Sequence, residues 1–125
     1  MCNQNNPMVY DLEERTTKFG EKIVLFAKSL ERNEITRPLI SQLVKAGTSI
    51  GANYREANEA ASKKDFRNKI CIGKKEANET KHWLRLIWIA LPNKEGEGKL
   101  LFNEAHEYVL IFGKIIRTTD ASLKK

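Results

Sequence analysis

The chain has 125 residues, of which 41% are hydrophobic and 30% are charged, and its formal net charge is +6. This length allows one domain with a sizeable buried core, and this composition excludes an intrinsically disordered chain. The longest apolar run, from Leu86 to Leu91, is too short to cross a membrane.

Four segments show apolar or small residues at alternating steps of three and four, which is typical of amphipathic helices packed in a bundle. We expect helices at about 11–31, 35–60, 63–91 and 98–119, within a single domain that spans residues 1–125. The expected core positions, in chain order, are Leu12, Thr16, Phe19, Ile23, Phe26 and Leu30; Leu39, Leu43, Ala46, Ile50, Asn53 and Ala57; Phe66, Ile70, Gly73, Ala77, Thr80, Leu84, Ile87 and Leu91; and Leu101, Ala105, Tyr108, Phe112, Ile115 and Thr119.

The ends of these segments carry helix signals. Asp11 with Glu14 resembles a capping pair for the first helix, and Ser62 with Asp65 resembles one for the third. Pro92 is expected to end the third helix. Because the connections are short, the pattern predicts an all-α fold, an antiparallel four-helix bundle in up-down-up-down order.

The positive charge is concentrated in the third segment. Residues 62–92 contain eight basic and three acidic side chains, whereas the other three quarters of the chain lie within one charge of neutrality. Offsets of 3, 7, 7 and 4 place most of the basic residues on one face of a helix. The candidate phosphate-binding residues, including two in the first turn, are Lys63, Lys64, Arg67, Lys74, Lys81 and Arg85.

Two interpretations of this basic face stay open. It is either a solvated charged surface or a surface that binds phosphates of RNA or DNA. No aromatic residues interleave with the cations, so stacking on single-stranded bases is not indicated. Nucleic-acid contacts would therefore be made to backbone phosphates, with weak sequence specificity.

The end of the third helix is apolar on nearly every side. We predict that Trp83, Leu86, Trp88 and Ile89 form a subunit interface, because aromatic residues are enriched in such patches. The alternative is a wider core, with the tryptophan rings covered by the loop before the fourth helix.

The second helix contains two glycines, Gly47 and Gly51, which would let a neighbouring helix approach closely. Asn53 falls on its expected apolar seam and Glu56 lies one turn on. We interpret these two residues as a buried polar pair that fixes helix register.

The sequence predicts no catalytic, cofactor-binding or metal-binding site. A di-metal bundle needs two Glu-x-x-His pairs that face inward, and the chain has one, Glu79 and His82, which points away from the expected core. Cys2 and Cys71 are expected to be free thiols. Because no catalytic pattern is present, we expect that the protein is not an enzyme. The first residues have neither a basic start nor an apolar stretch, so we expect a cytoplasmic protein.

The stretch from Gln42 to Ala57 contains Ser49-Ile50-x-x-Asn53-x-x-Glu56. It resembles the Ser-Ile-x-x-Asn-x-x-Glu signature of the four-helix-bundle proteins that are encoded in 23S ribosomal RNA intervening sequences. The segment 76–84 is also similar to the third helix of that family. One departure is Ala57, where many relatives have glycine.

The resemblance implies a bacterial, cytoplasmic protein that forms a ring-like homopentamer and has no established enzyme activity. Relatives include the basic accessory protein of diversity-generating retroelements, which works with a reverse transcriptase and nucleic acid. The leading hypothesis is therefore an oligomeric bundle that binds RNA or DNA through its basic face. The alternative is a protein-interaction scaffold that does not bind nucleic acid.

Overall fold

A computed structural model describes residues 7–124, with side chains from residue 11 onward. The described chain forms four long helices and no strand, so the predicted all-α class is confirmed. The helices are α1 (Pro7–Lys28), α2 (Thr36–Asn58), α3 (Lys63–Ala90) and α4 (Glu95–Leu123), with a short 3-10 turn at Pro92–Lys94. The expected free thiol at Cys2 lies outside the described residues.

Local hydrogen bonds explain where α2 and α3 begin. The Ser62 hydroxyl accepts a bond from the Asp65 backbone N–H (3.1 Å), as expected for an N-cap. Before α2, the Asn33 side-chain carbonyl accepts bonds from the backbone N–H groups of Ile35 and Thr36, both at 2.9 Å. The expected capping role of Asp11 at the start of α1 is wrong, because α1 already begins at Pro7.

The core lies along the apolar seam that the spacing predicts. All six expected positions of α1 are buried, and so are Leu84 and Ile87 near the end of α3. Four buried aromatic rings from three helices meet in its centre. Tyr108 contacts Phe19 edge-on (5.4 Å between ring centroids), and Phe112 stacks on Tyr54 (5.9 Å).

Adjacent helices pack against each other, and side chains join α1 to α4. The buried Tyr108 hydroxyl donates to the Glu104 carboxylate at 2.5 Å, and Glu104 also pairs with Lys22 of α1 (3.0 Å). Burial, followed by the hydrogen bond to Glu104, raises the pKa of Tyr108 far above its ordinary value, so this hydroxyl stays a donor. The α1–α4 contact is therefore polar at its edge.

Glycines mark the closest approaches between helices. A Cβ on Gly47 would lie 2.8 Å from two Ile23 side-chain carbons of α1, and one on Gly51 would lie 3.2 Å from the Thr16 backbone. The prediction that these glycines admit a neighbouring helix is therefore confirmed. On α3, a Cβ on Gly73 would lie 2.6 Å from Cε2 of the buried Phe112.

The predicted buried pair of Asn53 and Glu56 is wrong. Asn53 is half-buried and its side-chain amide donates to the Ser49 carbonyl of its own helix (2.9 Å). Glu56 is exposed and forms a salt bridge with Lys69 of α3 at 2.9 Å. The reason is helical phase: after Ile50 the buried seam advances four residues to Tyr54, which moves Asn53 to the helix edge.

We predict that Gly73→Ala destabilises the fold through overpacking against Phe112. Gly113→Ala is the matched control, because a Cβ there would be 3.5 Å from its nearest neighbour, Arg117 Nη1. Both changes gain about 1 kcal/mol of helix propensity. Gly73→Ala should therefore be less stable than Gly113→Ala by about 1–3 kcal/mol in urea unfolding. Equal stability of the two variants would contradict the tight contact.

Candidate nucleic-acid interface

Five of the six predicted phosphate-binding cations lie along the edge of α3 that faces α4. Lys63 Nζ donates to Ser122 Oγ (2.6 Å), and Lys81 Nζ lies 3.0 Å from His106 Nδ1. The remaining cation, Lys64, is exposed in the first turn of α3. We call this edge, together with the adjoining side of α4, the α3–α4 face. The predicted residues that it contains are Lys63, Arg67, Lys74, Lys81 and Arg85.

One cation of this face is already neutralised. Arg67 donates two hydrogen bonds to the Asp120 carboxylate of α4, one from Nε and one from Nη2 (3.2 Å). These bonds, and with them the opposite charge, lower the pKa of Asp120 and raise the pKa of Arg67. Arg67 is therefore a helix-to-helix contact in the absence of a ligand, a role that its sequence position does not reveal.

Other cations of the face have no carboxylate partner among the described residues. Lys74 and Arg117 converge from different helices: Arg117 Nη1 and Lys74 Nζ lie 3.5 and 3.7 Å from the position that a Cβ of Gly113 would occupy. Neither forms a salt bridge within the described part of the chain. Two like charges this close repel each other, and an anion between them would relieve that repulsion.

The sequence analysis missed Arg117. A signal was present, because Gly113, Arg117 and Asp120 are spaced by four and three residues and so share one side of a helix. Their importance depends on which residues of α3 lie opposite them. That pairing is visible only once the two helices are packed together.

The four residues predicted as a subunit interface are exposed to different degrees. Trp88 lies under the beginning of α4, with Cε3 2.9 Å from the position of a Gly98 Cβ and its ring edge-on to Phe102 (5.7 Å). Trp83 is half-buried and contacts His82. Leu86 is also half-buried, and only Ile89 is largely exposed, at 69%.

Large apolar side chains are also exposed on α1 and α4, outside the predicted interface. Leu25 of α1 and Leu100 and Leu110 of α4 are 65%, 72% and 59% exposed. A groove of about 700 Å³ runs between α1 and α2. Small or apolar side chains form much of its lining, which includes Thr17, Gly20, Val24, Leu25, Thr48, Gly51 and Ala52.

Within residues 7–124, no group of three or more His, Cys, Asp or Glu side chains is arranged to hold a metal ion. None of the four helices is long and apolar enough to cross a bilayer. Cys71, the cysteine in this part of the chain, is half-buried and accepts a weak bond from Arg67 Nη1 at 3.4 Å.

Comparison with known proteins identifies the family. The model of the 23S rRNA-intervening sequence proteins matches residues 10–111, which is most of the chain. The chain belongs to this family. None of the curated proteins matches it.

A solved structure is similar along nearly its whole length. It is the crystal structure of a protein of unknown function from the S23 ribosomal protein family of Bacteroides thetaiotaomicron VPI-5482. The two chains are 35% identical, with a TM-score of 0.76 over 83% of this chain and 96% of the other.

In this chain, two residues of the Ser-Ile-x-x-Asn-x-x-Glu signature contact α3. Glu56 pairs with Lys69, and Ser49 lies beside Glu76. Partial burial, followed by the neighbouring Glu79 carboxyl, raises the pKa of Glu76 above its ordinary 4.5. The signature thus contributes to the α2–α3 contact.

We predict that Glu76→Gln stabilises the fold at neutral pH. A carboxyl with a raised pKa in the folded state contributes stability that is present below its ordinary pKa and is lost as the pH rises through the raised value. The melting temperature should rise by about 1–3 °C at about pH 7, a small shift because solvent screens this partly exposed group.

The gain should disappear near pH 4, where Glu76 is protonated in the folded and unfolded states. Glu21→Gln, which removes an exposed carboxylate that forms no salt bridge among the described residues, controls for net charge. The same stabilisation at both pH values, or in both variants, would contradict the raised pKa of Glu76.

Proposed function

We propose that this chain is a non-enzymatic, cytoplasmic protein that binds the phosphates of RNA or DNA through the α3–α4 face. The observation that carries the proposal is the convergence of Lys74 and Arg117 over Gly113, with no carboxylate partner for either cation in the described residues. Phosphate oxygens are negatively charged and accept hydrogen bonds from both lysine and arginine, so a phosphate suits a site between such paired cations.

The arrangement of the face favours backbone recognition. Its cations extend from Lys63 to Arg85, which is about 33 Å along one helix at 1.5 Å per residue. Contacts at this spacing position a nucleic acid through its phosphates without reading sequence. Arg67 would join them only by exchanging Asp120 for a phosphate.

An antiparallel up-down-up-down bundle would support this surface, and the order of contacts favours it. Between α1 and α2, Glu13 pairs with Arg55, whereas Ile23 lies against Gly47. Between α3 and α4, Arg67 pairs with Asp120, and the last turn of α3 meets Gly98. Residue numbers therefore fall along one helix as they rise along its neighbour.

We further propose that the chain forms a homo-oligomer, with a pentamer implied by the family resemblance. The exposed side chains of Leu25, Leu100 and Leu110 support it, because a second chain could cover apolar side chains that a single chain leaves in water. A ring would repeat the α3–α4 face around one axis. Repetition would strengthen binding through avidity without improving any single contact.

A protein-interaction scaffold is the second candidate function. The α1–α2 groove favours it, because small residues there leave room for an apolar segment and Val24 and Leu25 are exposed beside it. In this case the partner would be a protein, such as the reverse transcriptase that works with the retroelement relatives. The charges of α3 would then only keep the chain soluble.

We predict that Lys74→Glu with Arg117→Glu weakens binding to structured RNA, single-stranded RNA and duplex DNA. Affinity should fall about tenfold or more at low salt. The plot of log affinity against log salt should become shallower by about 2, because two phosphates are no longer neutralised by the protein. Fluorescence anisotropy across a salt titration measures both quantities.

The matched control is Lys28→Glu with Lys45→Glu, which makes the same change in net charge at exposed lysines of α1 and α2. Equal weakening in both double variants would mean that net charge alone attracts nucleic acid. Asp120→Asn tests the opposite direction: it frees Arg67 and should strengthen binding. Absence of binding by the wild type at low salt would leave the scaffold as the better proposal.

We predict that light scattering of the purified protein gives a mass of several chains, about five times 14.3 kDa for a pentamer. Leu110→Glu places a charge on an exposed apolar site of α4 and should lower that mass if this surface is covered in the oligomer. A wild type that is monomeric at all concentrations tested would contradict the oligomer proposal.

A further inference from the structure

A shallow pocket lies at the end of the α3–α4 face, where the row of cations stops. Its volume is about 400 Å³. Six side chains line it: Arg85, Trp88, Ile89, Lys99, Phe102 and Asn103. The pocket therefore combines aromatic and aliphatic walls with a rim of two cations and an amide.

Several polar groups at the rim are available to a ligand. Asn103 is exposed and makes no hydrogen bond with a described residue, so its amide offers both donors and acceptors. Arg85 is exposed and has no salt bridge in the described part of the chain. Lys99 pairs only with the exposed Glu95 one turn away (3.2 Å), a contact of the kind that contributes little.

The walls match a flat, partly apolar group. Trp88 and Phe102 are half-buried and lie edge-on to each other with 5.7 Å between centroids, and Ile89 is 69% exposed beside them. A purely apolar ligand would leave the rim cations unused. A free anion would leave the rings unused. A nucleobase that is attached to a phosphate chain uses both.

We propose that this pocket holds an unpaired base of the nucleic acid whose phosphates lie on the α3–α4 face. The inference rests on the proposed function, because Arg85 is both the last cation of that row and part of the pocket rim. In this arrangement the walls contact the base and Asn103 hydrogen-bonds its edge. Duplexes with an unpaired nucleotide are then preferred over blunt duplexes.

The test compares three DNA duplexes of about 12 base pairs, slightly more than one helical turn. One is blunt, one has unpaired nucleotides at its ends, and one carries abasic residues at the same places. The second and third have the same phosphates, so a difference between them reports the base alone. Duplexes with 3′ overhangs and duplexes with 5′ overhangs are measured separately. A preference for bases over abasic residues in either set supports the inference.

The expected result is about 5- to 20-fold tighter binding of the overhang with bases than of the abasic overhang, the lower part of the range for base–aromatic contacts. In Trp83→Phe, which leaves Trp88 as the sole tryptophan, the base-containing overhang should also change the emission more than the abasic one. Asn103→Ala should remove much of the preference. Asn68→Ala, an exposed amide far along α3, should keep it.

The outcomes separate this inference from the proposed function. If all three duplexes bind equally and Asn103→Ala has no effect, the pocket does not hold a base, and phosphate binding by the face stands. If none of them binds at low salt, the pocket inference fails. The proposed function fails with it if structured RNA and single-stranded RNA do not bind either.

Discussion

A reciprocal contact fixes how α3 and α4 pack against each other. Phe112 of α4 lies over Gly73, so close that a Cβ would clash at 2.6 Å, and Lys74 of α3 lies over Gly113. Each helix thus supplies a glycine at the point where its partner supplies a long side chain. Because interiors are close-packed, this interlock sets both the rotation and the height of one helix against the other.

Most of the fold could be predicted from the sequence, because burial in a bundle follows helical periodicity. The six expected core positions of α1 are all buried, as are Ile70, Leu84 and Ile87 of α3. The prediction failed at Asn53, since a seam that advances by three or four residues admits two choices at each step. Burial of Tyr54 against Phe112 decides that choice, and this contact between distant segments is not visible in the local pattern.

The candidate site could be predicted only in part, for a related reason. Spacing on one helix finds the cations that share an edge, and Lys74 and Lys81 do lie on the same edge of α3. It cannot show that Asp120 of α4 takes Arg67, or that Arg117 joins Lys74. Similarly, an apolar run shows that Trp88 needs a cover, but only packing shows that the first turn of α4 provides it. Side-chain contacts between helices depend on how the helices pack, which spacing along one helix does not reveal.

Packing also connects the core of α3 to its proposed role. The buried residues Gly73 and Ala77 alternate along α3 with the cations Lys74 and Lys81, so a rotation of the helix by one residue would turn the face by about 100°. The Arg67–Asp120 ion pair is half-exposed and therefore screened by water, so it holds that rotation less firmly than the buried contact of Phe112 with Gly73 does. Charges on the face can therefore change without loss of the fold, whereas a larger side chain at Gly73 would disturb core and face together.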